Sequence, residues 1–150
     1  MSLKDRLIED MKAAMKAKEE GKVRLSVIRM VRAAIKNTEI DKGIELNDAQ
    51  VIEVIARELK MRRDAMDEFS KANRPEKVQE LQKEAAILME YLPEQLTERE
   101  IRDLAKEIIA ETGAESAKDL GKVMGAITLK TKGRADGKVV NQIVRELLES

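Results

Sequence analysis

Cysteine, histidine and tryptophan are absent from the 150 residues, and the only aromatic side chains are those of Phe69 and Tyr91. Without cysteine there is no disulfide framework, no thiolate metal site and no thiol nucleophile, which suits a reducing compartment. Without histidine the usual imidazole base, the Ser/His/Asp and Cys/His arrangements and nearly every zinc site are excluded. The Glu and Asp residues fall at helix caps and exposed periodic positions, with no spacing that singles out a catalytic pair. No catalytic residue, metal or cofactor is therefore expected. The N-terminus shows no apolar run of signal-peptide length, and no segment reaches the roughly 20 apolar residues of a membrane span. A cytoplasmic location without a membrane partner is the expectation.

What the chain does contain is helix-forming. Charged residues make up 39%, Lys and Arg balance Asp and Glu at 29 each, and no glycine occurs between Ile44 and Thr112. This profile predicts an all-α protein whose core is drawn from Leu, Ile, Val, Ala and the eight methionines. Ser2 with Asp5 matches a capping box and opens a first helix carrying Leu3, Leu7, Ile8, Met11, Ala14 and Met15. After Gly21 a second helix presents Val23, Val27, Met30, Val31, Ala34 and Ile35 as its inner face. Asn47 and Gln50 cap a third helix, through Val51 to Phe69, whose Lys60, Arg62, Arg63, Asp64, Asp67 and Glu68 read as surface pairs. Pro75 opens a fourth helix and Pro93 follows its end.

A second capping box, Thr97 with Glu100, marks the start of a new unit. Gly113 is placed to close the fifth helix in a left-handed cap, Ser116 with Asp119 reads as a box opening the sixth, and Asp136 caps the seventh. The expected organisation is an N-terminal four-helix unit over residues 1–93 and a small three-helix bundle over 94–150.

Two stretches bear on function. From Lys12 to Lys36 the cations are Lys12, Lys16, Lys18, Lys22, Arg24, Arg29, Arg32 and Lys36, against Glu19 and Glu20 alone. This is read as a solvated face balanced by acids of a neighbouring helix, with an RNA surface as the alternative. The second stretch is Gly121 to Lys138. It holds four of the seven glycines, and between Leu120 and Ala135 the charges are Lys122, Lys130, Lys132 and Arg134, without an acid. A glycine-opened corner of this charge can offer ammonium groups and bare N–H groups to an anion. Lys122 and Lys130 stand about two turns apart and would extend the patch along one flank. Gly121 and Gly125, four apart, admit either close helix packing or close approach of a ligand. Gly133 and Gly137 fit a turn and a loose first helical turn, and Lys138 adds a cation after Asp136.

Met11 to Lys16, Arg24 to Met30, Ala33 to Asn37, Tyr91-Leu92-Pro93-Glu94-Gln95-Leu96, Gly121-Lys122-Val123-Met124-Gly125 and Lys132-Gly133-Arg134-Ala135-Asp136-Gly137 resemble the free-standing YqeY proteins over essentially the whole chain. These proteins are similar to the C-terminal helical and tail region of the B subunit of the tRNA-dependent Asp/Glu amidotransferase. The resemblance implies two helical subdomains and a tail that helps hold transfer RNA, with Gly121, Lys122, Gly125, Lys130, Lys132, Gly133, Arg134 and Lys138 as RNA-binding residues supported by Asp136 and Gly137. The label it carries is that of a carbon–nitrogen ligase with glutamine as amido donor, but the catalytic domain of that subunit has no counterpart in this sequence. With few aromatics to stack bases, the expected partner is transfer RNA or another structured RNA read by shape, rather than a single strand or DNA, together with a translation-related protein partner. A log–log salt slope of around −4 is expected for about five phosphate contacts. The competing reading is a protein-interaction adaptor with no RNA ligand.

Overall fold

The computed structural model describes residues 1–149, and among them seven α-helices and two short 3₁₀ turns make up the regular structure, with no strand. In order the helices are α1 (Leu3–Lys16), α2 (Lys22–Lys42), α3 (Asp48–Lys71), α4 (Pro75–Met89), α5 (Glu98–Thr112), α6 (Leu120–Thr131) and α7 (Gly137–Glu149). Their mutual contacts divide the chain into two compact units, Met1–Leu92 and Pro93–Ser150.

The starts and stops follow local chemistry. Ser2 accepts the N–H of Asp5 at 3.1 Å, and complete capping boxes open α3 (Asn47 with Gln50) and α5 (Thr97 with Glu100). Gly43 and Gly113 end α2 and α5 at φ 65° and 71°, in the left-handed region where a side chain is strained. One predicted start differs. The Ser116 hydroxyl accepts the N–H of Lys118 rather than that of Asp119, and Asp119 accepts the N–H of Glu115 at 2.9 Å, so Ala117–Asp119 forms a 3₁₀ turn and α6 begins at Leu120. The shorter repeat of that turn brings the partners one residue closer than a capping box requires.

In the N-terminal unit the core is built on Leu7, Val27, Ile28, Val31, Val51, Ile55, Leu59, Leu88 and Tyr91. The expected methionines are not in it: Met15, Met30, Met61 and Met89 are exposed, as is Val23, whereas Met11 and Met66 pack at its margin. Branched aliphatic side chains fill the inner faces, and the flexible thioethers are left at their edges. Arg62 also departs from the surface pairing expected of it. It is 5% exposed, and its guanidinium donates to Glu84 of α4 at 3.0 Å and to both the carbonyl and the carboxylate of Glu58, itself 7% exposed. The Tyr91 hydroxyl donates to Asp10 while Arg6 lies 4.5 Å above its ring, and burial, then that bond, push the phenol's pKa up.

The C-terminal unit has a purely aliphatic centre of Ile101, Ala105, Ile108, Val123, Ile127, Val140, Ile143, Val144 and Leu148. Each of its Ile, Val and Leu side chains contributes about 1.5–3 kcal/mol when fully buried. Its three helices all contact one another, so α6 keeps one face inward and one outward.

Candidate functional site

The corner between α6 and α7 is built from Thr131 onward. The Thr131 hydroxyl donates back to the Ile127 carbonyl, and the Thr131 carbonyl accepts the N–H groups of Arg134 and Ala135 at 2.8 and 3.1 Å. Gly133 makes the turn at φ 75°. The carbonyls of Gly133 and Arg134 accept from the Gln95 amide and the Leu96 N–H, both at 2.8 Å, and Arg134 donates through Nε to the Glu94 carbonyl. Asp136 accepts the N–H of Lys138 at 3.0 Å and so caps α7. The expectation of bare loop N–H groups therefore needs correction. Those of Arg134, Ala135 and Lys138 are committed within the turn, because a tight corner satisfies its own donors.

The cations do not form one cluster. Lys130 and Arg134 border an open groove against α5 that Leu96, Leu104, Glu100, Asp103 and Glu107 also line, so two positive groups share it with three carboxylates. The N–H of Thr97 and then its hydroxyl hold the Glu100 carboxyl below the usual range, with a smaller contribution from Arg134. Lys122 lies elsewhere, near enough to Asp119 to help lower its carboxyl after the N–H groups of Glu115 and Ser116. Eight residues at 100° each set Lys122 and Lys130 about 80° apart around α6, which accounts for their separation. Lys132 and Lys138 are exposed at the corner.

Gly121 and Gly125 lie on the outward face of α6, and a Cβ built at either meets nothing within 4 Å. Close helix packing is thus not their reason. A glycine inside a helix costs about 1 kcal/mol relative to alanine, so this face gives up stability without a packing return. Thr128 and Leu129 continue the same face, Leu129 being 79% exposed. Gly137, the first residue of α7, is likewise open around its Cα and has no positive φ.

The basic surface of α1 and α2 differs from the balanced face expected of it. Among the described residues, Arg24 alone of the eight cations forms an ion pair, with Glu90 at 2.8 Å. Acids of α3 and α4 are engaged elsewhere, in Lys60–Asp64, Arg62–Glu84 and Lys77–Glu80. Sequence reading missed both this imbalance and the buried Arg62. Arg62 follows Ile55 by seven residues and Leu59 by three, a spacing that already placed it on the apolar stripe of α3.

Comparison with known proteins adds a family. The family described as "Yqey-like protein" matches over residues 4–148. A relative from Pyrenophora tritici-repentis, named "Altered inheritance of mitochondria protein 41, mitochondrial", is 31% identical over 146 residues, covering 95% of this chain and 79% of the relative. Proteins of the same name from Lachancea thermotolerans and Kluyveromyces lactis are 34% and 37% identical over 57% of this chain. In those two the match spans 46% and 45% of the relative's length.

Proposed function

We propose that this chain, which belongs to the YqeY-like family, is a non-catalytic binding module for structured RNA, transfer RNA being the class expected, and that the RNA backbone lies along the outer face of α6. The observation that carries the reading is the pair Gly121 and Gly125, exposed and with open space around each. A helix face without side chains lets a phosphate backbone approach the helix closely, and α6 itself carries no acid to repel it. Lys122 on the helix, with Lys132 and Lys138 at the corner, supplies the attraction. Lys130 and Arg134 share their groove with carboxylates and contribute less, so the salt slope is nearer −3 than −4. Amide transfer, in this reading, belongs to another polypeptide.

A fluorescence titration against total transfer RNA tests the proposal. Micromolar, salt-sensitive binding is expected, and Gly125→Leu, a substitution the open face accommodates, weakens it at least tenfold with helix content unchanged. Absence of binding at low salt, or indifference to Gly125→Leu, defeats the reading. Leu129, at 79% exposure, favours the second reading of a protein-docking face. In that case Leu129→Asp releases a captured partner while RNA is irrelevant. As to compartment, a cysteine-free chain suits the cytoplasm and the mitochondrion equally, and the names of the curated relatives favour the latter for their own lineages.

A further inference from the structure

The N-terminal unit carries a cleft that has no part in the RNA reading. It lies between α1 and α2, encloses about 290 Å³, and has Leu7, Ile8 and Ile35 as its floor. That size is near the lower end for small-molecule sites, and an apolar floor beneath a few convergent polar groups is their usual construction.

The rim decides what kind of molecule fits. Lys4 and Glu39 form an ion pair across it, and Glu39 also accepts the N–H of Leu46 at 2.8 Å, so this pair is internally satisfied. Arg32 and Lys36 complete the rim one helical turn apart on α2. Among the described residues neither is in an ion pair, although Lys36 lies near enough to Glu39 to help hold its carboxyl low. Arg32 donates one hydrogen, to the Met11 sulfur at 3.3 Å, and a guanidinium has five to give. Asp5 and Glu9 of α1 line an adjoining shallow groove with Lys12, which shares Ile8 with the cleft but neither Arg32 nor Lys36. An apolar floor under two cations that meet no carboxylate in a bridge is complementary to an anion with a small apolar body. A carboxylate suits the guanidinium, which binds it through two parallel hydrogen bonds.

We infer that the cleft between α1 and α2 binds a small amphipathic carboxylate, with its apolar body on Leu7, Ile8 and Ile35 and its head group on Arg32 and Lys36. The probe is octanoate, titrated into the full chain while the methyl resonances of Leu7, Ile8 and Ile35 are followed. Saturable shifts with a Kd of about 1 mM are expected for a ligand of this size. Octan-1-ol, which has the body without the charge, and inorganic phosphate, which has charge without the body, each bind at least tenfold more weakly. Arg32→Gln and Lys36→Gln, both at exposed positions, weaken octanoate about tenfold with helix content retained. Octanol or phosphate matching octanoate, the absence of saturation, or unchanged affinity in both variants overturns the assignment.

Discussion

In the N-terminal unit Gly21 sits where an added methyl would lie 2.1 Å from the carbonyl oxygen of Ala14, while in the C-terminal unit the same addition at Gly121 or Gly125 meets nothing within 4 Å. The cost of omitting a side chain from the chain is similar in each case, but what is gained differs. At Gly21 it is the tight passage from α1 through a 3₁₀ turn into α2. At Gly121 and Gly125 the fold gains nothing, which is why we attach function to that face. The cations divide in the same way. Arg62 in the first unit is consumed by the core, Lys130 and Arg134 in the second are partly offset by α5, and among the described residues Arg24 alone of the eight cations from Lys12 to Lys36 forms an ion pair.

The largest test of this contrast is Gly21→Ala. The clash is with backbone, which cannot rotate away, so a loss of about 3 kcal/mol is expected. Urea denaturation of the full chain reads it, and an unchanged midpoint would erase the distinction between the two kinds of glycine. The opposite sign is expected for Gly121→Ala with Gly125→Ala. Two alanines on an open helical face raise the stability of the C-terminal unit by roughly 1–2 kcal/mol. A thermal melt showing destabilisation would mean that those glycines serve the fold after all.

How far these features could be read in advance depends on range. Helix starts were legible because capping is settled within four residues, as Ser2, Asn47, Thr97 and Asp136 show. Gly43 and Gly113 were legible as stops for the same reason. Long-range outcomes were less so. Whether Arg62 meets Glu84 depends on how α3 packs against α4, and whether Lys130 faces water or Glu107 depends on the rotation of α6 against α5. The candidate site was legible as a list of residues but not as a surface, since a loop sequence does not reveal which of its N–H groups the turn will use.

The two capping boxes offer the finest comparison, because they share a geometry and differ in one ionisable group. At α3 the reaching side chain is Gln50, a neutral amide whose oxygen accepts the Asn47 N–H at 2.9 Å; at α5 it is Glu100, which accepts that of Thr97 at 3.1 Å. The Thr97 N–H holds the Glu100 carboxyl below its ordinary value in the folded chain. A depressed carboxyl contributes stability that is present above its unfolded pKa of about 4.3 and is lost as pH falls through the folded value. Between pH 6 and pH 3, hydrogen-exchange protection of the Thr97 amide is therefore expected to fall while that of Asn47 stays level. Glu100→Gln should make the second box behave as the first, with protection at Thr97 independent of pH, since the amide oxygen still accepts but no longer titrates. If protection at Thr97 still collapses in that variant, the acid sensitivity belongs to the unit as a whole and not to its cap.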